Sequence, residues 1–105
     1  MIKYKLMLIA VMMMPLSLMA GTNIWWSQVD YVYQLDDPLT FEFNSNVTHS
    51  CGSALYRVKS PNEDIANRKF AIVMAAFRDE KNLAFYDSKV CEGSRSVVQW
   101  VRITN

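Results

Sequence analysis

Histidine occurs once in this chain of 105 residues, and cysteine only twice. With His49 as the single imidazole and no C-x-x-C spacing between Cys51 and Cys91, neither a zinc ligand set nor a dithiol redox motif is supported. Glycine is equally sparse, at three residues, and forms no phosphate-binding loop and no G-x-S-x-G turn. No calcium-loop spacing is present either. Charge of one sign is also missing. Eleven basic residues face ten acidic ones, scattered along the chain, which argues against a nucleic-acid partner, whose binders concentrate Lys and Arg on one face.

What the chain does have begins at its start. Lys3 and Lys5 precede an almost wholly apolar stretch, Leu6 to Met19, and Ala20 precedes Gly21, the pattern of a secretory signal peptide over 1–20. The run is shorter than the about 20 apolar residues that span a bilayer as a helix, and Pro15 interrupts it. No cysteine follows the expected cut, so neither a stable membrane anchor nor a lipid anchor is indicated after processing. Removing Lys3 and Lys5 leaves nine basic residues against ten acidic ones, a formal net charge of −1. Residues 21–105 are one small domain, too short for two cores.

Export places Cys51 and Cys91 in an oxidising compartment, secreted or periplasmic in a bacterium, where one internal disulfide is the expected outcome. Closing a loop of that length removes chain entropy worth about 4 kcal/mol in the entropic account, a large share of a small domain's stability.

Hydrophobic periodicity predicts five strands and one helix. Ile24 to Tyr33 is dense in β-branched and aromatic residues, with aromatics on both faces. After the turn Leu35-Asp36-Asp37-Pro38, a second strand over Leu39–Asn44 turns Leu39, Phe41 and Phe43 inward and Thr40, Glu42 and Asn44 outward. A polar loop follows, containing the sequon Asn46-Val47-Thr48. The third strand, Ser53–Lys59, sets Ala54, Tyr56 and Val58 against Leu55, Arg57 and Lys59. Ser60-Pro61-Asn62-Glu63 reads as a helix start, with Asp64 or Asn67 as later caps. The helix itself, about Asn67–Asp79, shows a stripe of Phe70, Val73, Met74 and Phe77 and leaves Arg68, Ala71, Ala75 and Arg78 outside it. A fourth strand, Leu83–Asp87, a turn at Cys91-Glu92-Gly93-Ser94, and a last strand, Ser96–Thr104, complete the pattern.

Three strands, a helix and two strands is the order of the OB-fold, a five-stranded Greek-key barrel, and this is the expected fold: mainly β with one helix. The alternative is an α+β antiparallel sheet with one helix packed across it.

The run Ser50-Cys51-Gly52-Ser53 before a Leu-Tyr strand, the Phe70–Ala76 helix, and Cys91-Glu92-Gly93 after a short strand together resemble small bacterial exported proteins related to the binding (B) subunit of subtilase cytotoxin. The similarity runs from about Cys51 to Ile103. It implies an OB-fold, a disulfide matching Cys51–Cys91 and, in the toxin member, a pentamer that binds surface glycans. Ile24 to Asn44 carries no glycan-contacting motif that aligns, so the resemblance assigns no sugar-binding residue.

The acidic pairs Asp36–Asp37, Glu63–Asp64 and Asp79–Glu80 read as solvated turns and helix ends, because adjacent residues diverge. No catalytic residue, metal ligand or cofactor is expected, and His49 reads as a loop histidine. The aromatic surplus supplies the candidate ligand or partner surface: Trp25, Trp26, Tyr31, Tyr33 and Trp100. Ala71 and Ala75 are the candidate oligomer interface, since small residues permit close approach of another chain. The expected function is a noncatalytic exported binding protein, a homo-oligomer recognising a glycan or a protein. The second reading is a periplasmic inhibitor or accessory protein acting on a protein partner through a loop, and a small secreted hydrolase ranks third.

Overall fold

The computed structural model describes residues 21–104, and the expected signal segment, 1–20, lies outside the described residues. Seven elements follow in order: β1 (Thr22–Ser27), β2 (Val29–Gln34), β3 (Thr40–Ser45), β4 (Leu55–Lys59), α1 (Glu63–Arg78), β5 (Asn82–Glu92) and β6 (Arg95–Thr104). The strands form a single sheet in the order β1-β5-β6-β4-β3-β2. Four neighbour pairs are antiparallel, and β4 with β6 is parallel.

The sheet therefore has six strands rather than the five expected. The long first strand divides at Gln28, whose two neighbours, Ser27 and Val29, are both buried. Its halves sit at opposite ends of the strand order, and Gln28 links what they flank. Its backbone N–H donates to Asn46 Oδ1 at 2.8 Å, its carbonyl accepts from Asn46 N at 3.1 Å, and its side-chain amide donates to Asn82 Oδ1 at 2.6 Å. Beside it, the buried Ser27 hydroxyl donates to the Leu83 carbonyl at 2.7 Å. The parallel β4–β6 pair, in turn, rules out a purely antiparallel sheet.

Alternation builds the core. Phe41 and Phe43 from β3, Tyr56 and Val58 from β4, Leu83 and Phe85 from β5, and Val98 from β6 are all essentially inaccessible. Phe43 stacks on Tyr56 at 5.4 Å between centroids and meets Phe85 edge-on at 5.2 Å. Each such side chain contributes about 2 to 3 kcal/mol of transfer free energy relative to exposure, an upper figure because unfolded chains already bury some surface.

The helix begins earlier than its apolar stripe suggests. Asn62 is the cap, its Oδ1 accepting from Ile65 N at 2.9 Å, and Glu63 and Asp64 supply negative charge to the first turn. At the other end Lys81 N donates to the Ala76 carbonyl at 3.0 Å around Glu80, which has a positive φ of 54°. Ala66, Val73 and Ala76 are the helix residues that become fully buried. Phe70 packs edge-on against Phe41, 5.1 Å between centroids. Phe77, expected against the barrel, is 40% exposed, while Ile72 joins the core instead. The inward face is thus rotated toward the small residues, which let the helix approach the sheet closely. Lys69 reinforces it by donating to the Gln99 carbonyl at 2.7 Å.

One further boundary differs. The fourth expected strand continues past Asp87 to Glu92 through an irregularity in its pairing with β6, where Lys89 takes a φ of 61°. Asp87 Oδ1 accepts from Lys89 N and Ser88 Oγ from Val90 N, so local side chains hold a bend that propensity alone reads as a turn.

Candidate functional site

The five candidate aromatics do not form one cluster. In β1, Ile24 lies opposite Phe85 and Ser27 opposite Leu83, so two residues, Trp25 and Trp26, stand against Ala84 alone. This bulge is why consecutive side chains both reach the surface, where strict alternation would bury one: Trp25 is 46% and Trp26 66% exposed. Trp25 lies 6.2 Å from Trp100 of β6, and the Arg102 guanidinium sits over its ring at 5.4 Å. Ala84 is paired with Arg102 and is fully buried. The outer face of β1-β5-β6 is therefore an aromatic platform with a cation on it and a small residue as its floor. Trp100 is half-buried, and Trp26 has no aromatic partner among the described residues.

Tyr31 and Tyr33 lie on the outer side at the other end of the sheet, over β2-β3-β4-β6. Their rings stack at 6.2 Å, Tyr31 exposed and Tyr33 half-buried. The Tyr33 hydroxyl donates to Glu42, which points outward from β3 and yet is wholly inaccessible. Arg57 covers it, donating from Nε to Glu42 Oε2 at 2.6 Å, and Arg95 Nε donates to Oε1 at 3.2 Å. Arg57 also donates through a terminal nitrogen to Glu92 at 2.9 Å, and Glu92 accepts from Lys59 Nζ at 2.7 Å.

These contacts set the protonation states. Burial pushes the Glu42 carboxyl up, but hydrogen bonds from Tyr33, Arg57 and Arg95 outweigh it and hold the group below its ordinary value of 4.5. Tyr33 is raised, by burial first and then by its bond to Glu42. Glu92 is lowered by Lys59 and Arg57. The network thus stays ionised at neutral pH and fixes the Tyr33 ring.

His49 is committed to its loop. Its Nδ1 accepts from Cys51 N at 3.0 Å, which leaves Nε2 to donate to the Leu55 carbonyl at 2.7 Å, and the ring meets Tyr56 edge-on at 4.8 Å. Cys51 and Cys91 form the expected disulfide, Cα to Cα 5.6 Å, and Ser53 Oγ adds a bond to the Ser94 carbonyl at 2.6 Å. Among the described residues no group of three or more His, Cys, Asp or Glu is placed to hold a metal ion. On α1, Ala71 is exposed and Ala75 half-buried.

The sequence missed the Arg102 contact and the Glu42 network. Alternation does put Glu42 and Arg57 outward on successive strands. Their pairing needs the register, which a single chain does not display. Compared with known protein families, curated proteins and solved structures, the chain matches none.

Proposed function

We propose that this chain is an exported, noncatalytic binding protein that recognises a glycan or a protein surface through the Trp25–Trp100–Arg102 platform. The observation that carries the reading is the exposed Trp25 ring, lying 6.2 Å from Trp100 and under the Arg102 guanidinium, on strands rather than on a loop. Large aromatic rings that stay at the surface lose transfer free energy unless a ligand covers them, and rigid ones bind at low entropic cost.

Export is supported by the Cys51–Cys91 cross-link. No helix of the described residues is long and apolar enough to cross a membrane. An OB-type barrel is supported by the helix between β4 and β5, the parallel β4–β6 pair, and Gln28 joining the two halves of the first strand at opposite ends of the order. A homo-oligomer, with the pentamer of the toxin-like group as its form, rests on that resemblance and on the exposed Ala71. Light scattering of the purified protein tests it: a mass several times that of the protomer is expected, and a single-protomer mass rejects it.

The binding reading is tested on a glycan array and by pull-down with Trp25→Ala and Trp100→Ala. Loss of signal in variants that keep their near-ultraviolet spectrum supports it, and unchanged signal rejects the platform. The inhibitor or accessory reading has its own observation. Val90 is 58% exposed near the end of β5, next to the cross-linked Cys91 and the β5–β6 turn, an apolar side chain held where a protein partner can reach it. One stoichiometric protein retained by wild type and lost with Val90→Asp would favour it.

A further inference from the structure

The network around Glu42 uses its arginines incompletely. Arg95 donates to Glu42 through Nε and lies within hydrogen-bonding reach of the Tyr33 hydroxyl, and its terminal nitrogens make no bond to a carboxylate among the described residues. Arg57 bonds through Nε and one terminal nitrogen, which leaves its second terminal nitrogen without a hydrogen bond there. The side chains remain 34% and 25% accessible, so the unused donors can reach a ligand. Arg57, Lys59 and Arg95 face Glu42 and Glu92, and Asp30, whose carboxylate lies 3.1 Å from the Asn44 amide, balances the third cation, so the attraction for an anion comes from the unused donors and not from net charge.

The carboxylate that holds these guanidiniums is buried, and such a group is often no more stabilising than an apolar residue in its place. Its structural effect is to aim. Gripped at Nε, Arg95 does not spend its terminal nitrogens on Glu42, and the edge they form can hold an oxyanion through two parallel bonds.

The strand register shows what lies beside it. Tyr31 pairs with Asn44, and Asn44 with Leu55. Tyr56 pairs with Ser96 in parallel, which sets Leu55 level with Arg95. One row across the outer face therefore reads Tyr31, Asn44, Leu55, Arg95, about 4.8 Å from strand to strand. Arg95 starts at one end of this row and reaches across β4 to Glu42 on β3, and the exposed Tyr31 ring stands at the other end. Tyr33, stacked on Tyr31 and anchored to Glu42, stiffens the aromatic end.

We propose that this row is a ligand site for a small acid: its carboxylate, sulfate or phosphate is held by Arg95 and Arg57, and its ring or apolar body lies over Leu55 against Tyr31. Glu42 is a positioning residue that does not touch the ligand. The site lies at the opposite end of the strand order from the Trp25 platform and does not depend on it.

The test is titration of the folded protein with sulfate, acetate and benzoate at constant ionic strength, followed by amide and arginine Nε–H chemical shifts. Saturable shifts at Arg95, Leu55 and Asn44 are expected, with benzoate binding more tightly than acetate. Arg95→Gln should weaken all three ligands by about tenfold or more, the loss of its paired charge-assisted bonds. Arg68→Gln, the same charge change on the exposed helix face, should leave them unchanged. Tyr31→Ala should abolish the benzoate preference while leaving sulfate binding intact. Glu42→Gln, if folded by its near-ultraviolet spectrum, should weaken sulfate although it removes a negative charge, the reverse of a simple electrostatic effect. Unsaturable shifts spread over all surface cations, or equal responses in Arg95→Gln and Arg68→Gln, would overturn the site. Saturable sulfate without any benzoate preference would overturn the Tyr31 part of it.

Discussion

The Phe70 ring meets Phe41 edge-on, 5.1 Å between centroids, and through that contact the helix is fixed on the sheet. Phe77, two turns on, lies 40% exposed. Phe70→Ala is therefore expected to cost about 3 kcal/mol, whereas Phe77→Ala should stay below about 1 kcal/mol. Denaturant unfolding of the two variants separates them, and equal losses would place the helix in a different rotation.

The helix ends offer a change in the opposite direction. Glu80 occupies the left-handed region at a φ of 54° directly after the helix cap, while Lys81 N closes the end onto the Ala76 carbonyl. Glycine takes that conformation without the Cβ penalty, so Glu80→Gly should raise stability by about 1 kcal/mol. Asn62→Ala at the other end should lower it by about 1 kcal/mol. Thermal melts of the single variants read both signs.

Acid should unfold the protein partly through Glu42. Its folded-state value is below the ordinary 4.5, so the stabilisation is fully present above that value and is lost as pH falls through the lower, folded one. Glu42→Gln should cost about 2 kcal/mol at pH 7 and flatten the stability profile below pH 4.5. The comparison is a set of denaturant midpoints from pH 7 to pH 3. A parallel acid slope in the variant would remove Glu42 as its source.

Reduction of Cys51–Cys91 should lower stability by about 4 kcal/mol. The oxidised protein should show no alkylatable thiol, since the described chain has no free cysteine. Intact mass before and after reduction, with a melt of each form, checks both statements.

Much of this architecture was legible in the chain. The inward sets Phe41–Phe43, Tyr56–Val58 and Leu83–Phe85 follow from alternation, because a strand with one face on a core cannot slip register without turning those residues out. Two kinds of information were not legible. The polar Ser27 and Gln28 softened the alternation of Ile24–Tyr33 without showing that the strand divides there, and a β-bulge leaves local composition unchanged, so nothing explained why Trp25 and Trp26 would share the surface. Alanines buried on a helix look like helix formers, so the inward face was drawn through Phe77 in place of Ala76. The aromatic candidates were visible as an inventory. Their separation into a Trp25–Trp100 group and a Tyr31–Tyr33 group depends on strands far apart in sequence, as does the enclosure of Glu42 by Arg57 and Arg95.

The last strand in chain order, β6, occupies the middle of the sheet, with β5 on one side and β4 on the other. Until it emerges, β1 and β5 are one raft and β2, β3 and β4 another, and no strand pairing joins the two. A growing chain therefore cannot finish its fold early: Val98 and Val101 are absent from the core, and the parallel contact that spans the helix has no second member. Late completion leaves the free strand edges of the two rafts open to mispairing until β6 is in place.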